Sequence, residues 1–509
     1  MSFRTVVLIA ILTALVVVSS SSRAATDATA QKGGGTGPEK FAAQILEATG
    51  VQGGLVVHLG CGDGKLTAAL RVRESFQVHG LDREAEKVDQ ARSHIRSLGL
   101  YGPVSADHLR GRHLPYIDNL VNLIVAEDLG DIPMSEVMRV LCPHGVAYFL
   151  QDGRWTRTVK PRPDEIDEWT HYLHDASNNA VSHDTIVAPP GRLQWVGSPR
   201  FTRHHDRMSS VSAVVSAGGR VFYIFDEGSR ISILLPPKWT LIARDAFNGT
   251  ILWKRRIRKW HTHLWPLKSG PAQLTRRLVA DGDRVYVTLD VNGPLEALDA
   301  ATGETVRTYE NTRATEEIIL SHGVLFLLVN ENPEKTELSS SSSRDRRRGK
   351  RTKFWNESKR RITAVKPETG EILWTARRPV LPSTLAADGQ GVFLHGGESV
   401  VRLDRDTGEE LWRSEPIARA AAIPSFYLPT LVVYEDVVLF SGGETAGEQT
   451  GTWYTSGKDT MTALSAKTGK VLWSVYHPPS GYRSPEDLLV VNGLVWTGET
   501  TSGRVTGVF

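Results

Sequence analysis

Cysteine is scarce in this sequence, because the 509 residues include only Cys61 and Cys142. Two cysteines so far apart cannot form a disulfide-rich scaffold, and they lack the paired spacing of a zinc site. Long apolar runs are scarce as well, since no segment reaches the roughly 18 uninterrupted apolar residues of a membrane-spanning helix. We therefore expect no integral membrane segment in the mature chain.

A surplus of one charge is also lacking, since 60 lysines and arginines face 57 aspartates and glutamates. Ten of the basic residues lie between Arg344 and Arg361, and outside that stretch 50 basic residues face 55 acidic ones. Five consecutive serines precede the stretch, so we predict that residues 331–361 form a disordered basic insertion. Because the remaining chain is slightly acidic, we expect no nucleic-acid partner.

The first residues predict export. Arg4 precedes a mostly apolar run over residues 6–18, which is short for a membrane span. Residues 22–24 then fit the small-x-small pattern of a cleavage site. We therefore predict a signal peptide over residues 1–24, a spacer over residues 25–37, and a location in the periplasm or cell envelope. An uncleaved anchor is the alternative.

Helix-like and strand-like stretches alternate after the spacer. Short apolar runs between turn residues predict strands, and longer runs with apolar residues every three or four positions predict helices. The predicted strands are residues 55–59, 77–81, 120–126 and 146–150, and the predicted helices are residues 40–49, 65–72 and 85–98. This alternation predicts a parallel sheet with crossover helices, an α/β Rossmann-like domain over residues 38–151.

A glycine-rich turn follows the first predicted strand. Gly60, Gly62 and Gly64 let the backbone approach a ligand closely, and the turn leads into a helix. Asp82 ends the next strand, 22 residues after Gly60, where a carboxylate can accept hydrogen bonds from both hydroxyls of a ribose. The spacing therefore favours a ribose-containing cofactor at this turn.

The turn and its context resemble class I AdoMet-dependent methyltransferases, where AdoMet is S-adenosyl-L-methionine. Asp107 follows a third strand, where that family contacts the adenine, and residues 136–145 are similar to the family's Glu-x-x-Arg-x-Leu-x-Pro-Gly-Gly segment. The resemblance implies AdoMet as the cofactor and names no catalytic residue. The implied cofactor site consists of Gly60, Cys61, Gly62, Gly64, Asp82 and Asp107.

Two residues depart from the family pattern. His58 stands where an acidic residue approaches the methionine amino group, and Asn122 replaces the customary aspartate of the fourth strand. The chain also enters the next domain after its fifth strand, so the last hairpin of the family fold is not expected. Because AdoMet is a cytoplasmic metabolite, the predicted export also leaves open a retained fold without catalysis.

From residue 152 onward, short strands alternate with turn residues. One phrase, Ala-x-Asp-x-x-Thr-Gly-x-x-x-Trp, recurs in register with small variations. The five turn glycines of this phrase are Gly249, Gly303, Gly370, Gly408 and Gly469. Each phrase predicts a strand, a tight turn with its glycine at positive φ, and a second strand. A further hairpin before each phrase raises the unit to about four strands.

The phrase resembles that of quinoprotein-type (PQQ-like) β-propellers, in which the tryptophan packs each blade on its neighbour. The resemblance implies an all-β propeller over residues 152–509, with five phrases and a partial sixth. Residues 167–195 also resemble the strand with which such propellers begin. Because rings of this family close with more blades, we expect an incomplete propeller and a fragment of a longer protein.

PQQ itself is not expected as a cofactor. Quinoprotein alcohol dehydrogenases carry adjacent cysteines beside the quinone, and this chain has no cysteine after Cys142. The carboxylate and amide oxygens that would bind a calcium-bound quinone cannot be picked out either. Similarity to outer-membrane assembly proteins implies instead that the propeller binds a protein or polysaccharide partner.

Histidines are concentrated where the propeller begins. A metal could be bound by His171 and His174 on a helical backbone, with a third ligand from His204 or His205. The alternative is that these side chains line the first blade and the domain interface as polar groups. We favour the second interpretation and assign no metal site.

Three hypotheses for function follow from these patterns. The first is an AdoMet-dependent methyltransferase whose propeller binds the acceptor. The second is a non-catalytic exported propeller scaffold that retains a degenerate methyltransferase fold. The third, least favoured, is a quinone-dependent dehydrogenase.

Overall fold

The computed structural model describes most of the chain. The described residues are 37–187, 191, 193–199, 203, 210–232, 235–261, 271–333, 359–419, 429–444, 459–476, 488–498 and 505–508. The predicted signal peptide, the spacer up to residue 36, His204, His205 and the central part of the predicted basic insertion lie outside the described residues.

The N-terminal domain is an α/β fold built on one six-stranded sheet. Its strands are β1 Gly54–Leu59, β2 Phe76–Asp82, β3 Val104–His108, β4 Val121–Ala126, β5 Leu141–Gln151 and β6 Arg154–Val159. Its helices are α1 Pro38–Thr49, α2 Lys65–Ala69, α3 Ala85–Ser97 and α4 Met134–Val140. The strand order is β3-β2-β1-β4-β5-β6, with β1 to β5 parallel. This topology confirms the predicted Rossmann-like fold.

Helices cover both faces of this sheet, so its central strands read as continuous apolar runs. On one face, Val56 and Leu123 belong to a core that also includes Ala42 of α1 and Ala91 of α3. On the other face, apolar residues of β1 and β4 pack with Val137 of α4. The carboxyl ends of β1, β2 and β4 are therefore held side by side at one edge of the sheet.

A sixth strand extends the domain beyond the predicted boundary at residue 151. Strand β6 pairs with β5 in the antiparallel sense, and Trp155 stacks on Tyr148 with ring centroids 5.0 Å apart. The two strands are joined by Asp152 and Gly153, both at positive φ. An Asp-Gly pair between two strands is a strong hairpin signal, so the sequence carried the information for this strand. The sheet continues to Val159.

Six antiparallel sheets, called blades 1 to 6 below, make up the C-terminal part of the described chain. Blade 1 comprises β7 Val211–Ala217, β8 Arg220–Asp226, β9 Trp239–Asp245 and β10 Ile251–Arg256. Blade 2 comprises β11 Leu278–Asp281, β12 Arg284–Thr288, β13 Leu295–Asp299 and β14 Thr305–Thr308. Blade 3 comprises β15 Thr315–Ser321, β16 Val324–Asn330, β17 Arg360–Val365 and β18 Ile372–Arg377.

Blade 4 comprises β19 Ala386–Ala387, β20 Gly391–His395, β21 Val400–Asp404 and β22 Glu410–Arg413. Blade 5 comprises β23 Thr430–Tyr434, β24 Val437–Glu444, β25 Asp459–Ser465 and β26 Val471–Tyr476. Blade 6 comprises, among the described residues, β27 Leu488–Val491, β28 Leu494–Gly498 and β29 Val505–Val508. A short 3₁₀ helix at Ala272–Arg277 precedes β11. The five four-stranded sheets agree with the predicted all-β, propeller-type repeat domain.

The recurring phrase forms the turn between the third and fourth strands of each of blades 1 to 5. Its five glycines have φ between 71° and 77°, as predicted. In blade 4, the Asp404 carboxylate accepts hydrogen bonds from the backbone N–H groups of Asp406 and Thr407, both at 2.9 Å. Aspartate and glycine therefore close this turn together, because one satisfies free N–H groups and the other tolerates the left-handed backbone.

Aromatic side chains join successive blades at these turns. Trp374 of blade 3 donates its indole N–H to the Arg405 carbonyl of blade 4 at 2.8 Å, and its ring lies over Gly408. The same arrangement joins Trp253 to Gly303 and Trp412 to Gly469. Blade 2 uses a tyrosine instead, because Tyr309 donates its hydroxyl to the Pro367 carbonyl at 2.7 Å.

Residues 169–179, called the hub segment below, contact the first strand of every blade. A hydrogen bond of 2.7–2.9 Å runs from one backbone N–H of each first strand to the hub segment. The pairs are Ser216 with Trp169, Ala280 with Thr170, Leu320 with His171, Ala387 with Ala176, Val433 with Ser177, and Val490 with Asn179. Because first strands of successive blades contact one another, the hub segment lies along the inner edges of the blades.

This placement corrects the expectation that residues 167–195 begin the propeller as a strand. The hub segment is mostly turn and irregular backbone, with His171 and His174 joined as an isolated bridge. Its irregular path has a physical reason, since it must satisfy donors from six differently oriented sheets rather than one neighbouring strand. Trp195 contributes separately, because its indole donates to the Ala246 carbonyl of blade 1 at 2.8 Å.

Candidate functional site

The glycine-rich turn predicted from the sequence lies at the carboxyl edge of the parallel sheet. The N–H groups of Gly60 and Cys61 both donate to the Leu81 carbonyl, at 2.8 and 3.1 Å. Gly60, Gly62 and Gly64 all have positive φ, from 52° to 81°. The turn after β1 is therefore fastened to the end of β2, which brings the predicted glycines close to Asp82.

Asp82 is buried, with 7% of its surface exposed, and both of its carboxylate oxygens are held. Oδ2 accepts a hydrogen bond from the Gly62 N–H at 3.0 Å, and Oδ1 accepts one from the Glu84 N–H at 3.0 Å. Each carboxylate oxygen can accept more than one hydrogen bond. Asp82 is therefore a fixed acceptor directly beside the glycine turn.

The three glycines have different surroundings. A methyl group added at Gly60 or Gly62 would meet no atom within 4 Å, so the turn has open space on that side. A methyl group added at Gly64 would lie 2.7 Å from the Cα of Ala91 in α3. Gly60 and Gly62 therefore border space that a ligand can occupy, whereas Gly64 permits close packing of two helices.

Cys61 belongs to the turn by its backbone, while its side chain packs in the core. Its Sγ lies under Gly80 of β2, where an added methyl group would come within 2.7 Å of the Cys61 Cβ. Burial, and next the negative charge of Asp82, raise the pKa of the Cys61 thiol to about 12. The thiol is therefore protonated at neutral pH and serves packing rather than nucleophilic chemistry.

Asp107 lies one strand further along the same edge. It is exposed at the end of β3, and its Oδ1 accepts hydrogen bonds from the Arg92 guanidinium at 2.9 Å and from the His108 N–H at 3.0 Å. The structure therefore brings together the five predicted site residues from Gly60 to Asp82, while the Asp107 carboxylate is paired with α3.

The His58 side chain packs against α2. Its Nδ1 lies 2.8 Å from Thr67 Oγ1 of α2, and the side chain is buried. Burial lowers the pKa of His58 to about 4, although Asp82 acts in the opposite direction. The imidazole is therefore neutral at pH 7, and it fixes α2 against β1 without adding a charge near the glycine turn.

Asn122 lies at the opposite edge of the sheet, in contact with blade 1. Its amide nitrogen donates to Asp245 Oδ2 at 2.7 Å, and its amide oxygen accepts hydrogen bonds from the Leu55 N–H and the Asn248 side chain at 2.8 and 2.7 Å. An aspartate at this position would place a second carboxylate against Asp245. Asn122, the residue that departs from the family pattern, is therefore part of the domain interface.

One feature of the carboxyl edge was missed by the sequence analysis. The Arg83 guanidinium forms an ion pair with Asp131, which joins the segment after β2 to the segment after β4. These two strands flank β1 in the sheet, so the ion pair lies beside the glycine turn. The sequence could have indicated this ion pair, because Arg83 and Asp131 both follow strands whose carboxyl ends lie at the same edge of the sheet.

Of the four histidines considered from the sequence as metal ligands, the structure describes His171 and His174. His171 uses both ring nitrogens, since Nε2 accepts a hydrogen bond from the Leu320 N–H at 2.9 Å and Nδ1 lies 2.7 Å from Thr170 Oγ1. His204 and His205 lie outside the part of the chain that the structure describes. His171 is therefore a structural group that joins the hub segment to blade 3.

No helix within the described residues combines the length and apolar character needed to cross a membrane.

Comparison with known families matches two regions of the chain. Residues 56–145 match the family described as methyltransferase domain, and residues 358–509 match the family described as outer membrane protein assembly factor BamB. The first match covers β1 to the start of β5 and includes the glycine turn and Asp82. The second covers strands β17 to β29, which bear three of the five phrases.

Similar proteins match the N-terminal region. Methyltransferase GfsG of Streptomyces halstedii is 35% identical over 114 residues, covering 21% of this chain and 41% of GfsG. A putative S-adenosyl-L-methionine-dependent methyltransferase of Methanococcus maripaludis is 24% identical, covering 22% of this chain and 54% of that one, with a TM-score of 0.21. Geranyl diphosphate C-methyltransferase of Streptomyces coelicolor is 20% identical, covering 22% of this chain and 44% of that one, with a TM-score of 0.21.

The chain thus spans about two fifths of GfsG and about half of the Methanococcus protein. The family matches agree with the two architectures and with the motifs that define them. The chain therefore combines a methyltransferase domain with a C-terminal domain of BamB-type repeats.

Proposed function

We propose that the N-terminal domain binds AdoMet at the glycine turn and transfers its methyl group to an acceptor. The observation that carries this proposal is the fixed arrangement of Gly60, Gly62 and Asp82, with open space beside the two glycines. The match to the methyltransferase domain family supports the same ligand. Cys61 and Gly64 contribute backbone and packing to the turn.

The roles of the residues follow from their contacts. Asp82 would accept hydrogen bonds from the ribose hydroxyls, because its carboxylate is already oriented by the N–H groups of Gly62 and Glu84. Gly60 and Gly62 would let the backbone lie against the cofactor without side-chain interference. Bound AdoMet supplies an electrophilic methyl group on a positively charged sulfur. The domain then acts by holding acceptor and donor in line, which alone accounts for a large part of the rate of such transfers.

We further propose that the propeller binds a protein or polysaccharide partner in the cell envelope. The BamB-type repeats and the predicted signal peptide support this location and partner class. Blade 1 contacts the amino edge of the sheet at Asn122, whereas the glycine turn lies at the carboxyl edge. A strand of six residues separates these edges by about 20 Å. A partner held by the propeller would therefore reach the methyl donor only if it were large or extended.

Isothermal titration of the full chain with AdoMet tests the cofactor proposal. Gly62→Ala adds a methyl group on the open side of the turn, so we expect roughly tenfold weaker binding, equal to about 1.4 kcal/mol. Gly99→Ala is the matched control, because Gly99 also has positive φ and open space but lies after α3. Both variants should lose about 1 kcal/mol of stability through backbone strain. Absence of heat and of a thermal shift with the wild-type chain would contradict the proposal.

The non-catalytic scaffold is the second candidate, and the predicted signal peptide favours it because AdoMet is cytoplasmic. The same titration separates the two candidates, since a scaffold with a degenerate site would bind neither AdoMet nor its demethylated product. The quinone-dependent alternative receives no comparable support. The ligands of a quinone would have to converge at the inner edges of the blades, and the hub segment lies along those edges.

A further inference from the structure

Three side chains with metal-binding atoms meet where the hub segment begins. A carboxylate oxygen of Asp167, a ring nitrogen of His174 and a ring nitrogen of His183 lie within 4.8 Å of one another. Asp167 Oδ2 is 2.7 Å from His174 Nε2 and 3.5 Å from His183 Nδ1. This set shares only His174 with the ligands considered from the sequence.

The surroundings of His174 are unusual for a neutral imidazole. Its side chain is 5% exposed and lies between two carboxylates, with Nε2 facing Asp167 and Nδ1 3.5 Å from Asp175 Oδ2. Nδ1 is buried and forms no hydrogen bond with any described residue. A neutral imidazole has one N–H and cannot donate to both carboxylates. A cation at Nε2 resolves this conflict, because Nδ1 can then carry the proton and face Asp175.

That arrangement is the usual one around metal-bound histidine. A ligating imidazole directs its other N–H to a carboxylate or carbonyl, which fixes the ring and raises its basicity. Asp175 is itself fixed, since its Oδ1 accepts hydrogen bonds from the Ser177 N–H at 2.8 Å and the Ser177 hydroxyl at 2.5 Å. The carboxylate that would face Nδ1–H is therefore already positioned by the hub segment.

The backbone also brings His183 to the site. The Asp167 N–H donates to Asp184 Oδ1 at 2.7 Å, and the His183 N–H donates to Asp167 Oδ2 at 2.6 Å. A third bond joins the Thr185 N–H to the Glu165 carbonyl at 3.2 Å. These bonds close the loop that contains the hub segment and place its two ends side by side.

We propose that Asp167, His174 and His183 bind one zinc ion that closes this loop. Two imidazole nitrogens and one carboxylate oxygen are a common three-residue donor set for zinc, with the remaining position open to water or a substrate. The exposed His183 gives the ion access from solvent, whereas His174 and Asp167 hold it at the buried side. By joining both ends of the loop, the ion would hold the hub segment against the blades.

The test uses the full chain, without a histidine tag, stripped of metal and titrated with zinc chloride. We expect one zinc per chain and a rise in thermal midpoint on binding. His183→Ala removes an exposed ligand whose loss leaves the core intact. We expect zinc binding to weaken by more than about 100-fold, because changes to outer-shell partners alone cost about 10- to 100-fold. His113→Ala is the matched control, because His113 is also exposed and lies near a single carboxylate, Glu136.

Circular dichroism of each metal-free variant checks that the fold is kept, and Asp167→Asn provides a second ligand variant. Zinc lost from both ligand variants but kept in His113→Ala would support the site. The proposal is overturned if the wild-type chain binds no stoichiometric zinc at micromolar concentration. It is equally overturned if His183→Ala binds zinc as tightly as the wild type. If no zinc binds, only a second proton on the His174 ring would let it donate to both Asp167 and Asp175.

Discussion

Blade 1 and the later blades share one repeat, but the interdomain contacts of the described blades lie on blade 1. The residue before the phrase tryptophan shows the difference. In blade 1 this residue, Leu252, is partly buried and packs against Gly53. Its counterparts in the next four blades remain 43–54% exposed: Val306, Leu373, Leu411 and Leu472. One copy of a repeated apolar position has therefore become part of a domain interface.

The turn of blade 1 also differs from the turns of the later blades, at a residue that contacts the N-terminal domain. The residue before the turn glycine is threonine in blades 2 to 5, at positions 302, 369, 407 and 468, whereas blade 1 has Asn248. The longer Asn248 side chain donates to the Leu120 carbonyl at 3.0 Å and to Asn122 Oδ1 at 2.7 Å. A threonine hydroxyl stays inside its own turn, as Thr407 does with Asp404. Comparison of equivalent positions thus separates residues that build a blade from residues that join domains.

The largest effect is expected where the copies pack on one another. Gly408→Ala would place a methyl group 2.5 Å from the Trp374 ring, whereas Gly370→Ala would meet nothing closer than 3.5 Å, because blade 2 supplies Tyr309 instead of tryptophan. Both substitutions strain a left-handed backbone by about 1 kcal/mol. Overpacking adds about 2 kcal/mol at Gly408 alone. Urea unfolding of both variants measures the difference, and equal losses would show that the aromatic contact does not limit the turn.

A smaller, pH-dependent effect is expected at blade 3, the blade to which the hub segment is joined by a histidine ring nitrogen. Burial lowers the pKa of His171 to about 4, although Asp175 acts in the opposite direction. Because the folded pKa lies below the unfolded value of about 6.5, this contribution to stability is complete above pH 6.5 and is lost as the pH falls toward 4. Between pH 7 and pH 5 the loss is about 2 kcal/mol.

His171→Gln tests this assignment, because glutamine keeps an acceptor for the Leu320 N–H and does not titrate. The free energy of unfolding, measured at pH 7 and pH 5, should fall about 2 kcal/mol less in the variant than in the wild type. His395 also has a pKa lowered by burial to about 4, and His395→Gln serves as the comparison at a site where the ring contacts Ile417 and Phe440. An unchanged pH dependence in His171→Gln would contradict the predicted role of His171.

The sequence predicted those features that depend on local pattern. The five turn glycines followed from the repeated phrase, and the approach of Asp82 to the glycine turn followed from the rule that adjacent parallel strands end at one edge. The hub segment could not be predicted in this way. Its contacts join residues as far apart as Asn179 and Val490, and its backbone has no periodicity. The role of Asn122 in the domain interface could not be predicted either, because its partner Asp245 lies 123 residues away.

The smallest effect is expected at the turn of blade 1, where Asn248 contacts the N-terminal domain. Asn248→Thr restores the residue of the other copies and removes hydrogen bonds to Leu120 and Asn122, so we expect a loss of about 1 kcal/mol. Thr407→Asn makes the reverse exchange in blade 4, where the Thr407 hydroxyl bonds to Asp404 of its own turn, and should change stability by less than about 0.5 kcal/mol. The interface can be followed by the rate of limited proteolysis of the two variants. Faster cleavage in Asn248→Thr alone is expected, whereas equal cleavage in both variants would show that Asn248 does not join the domains.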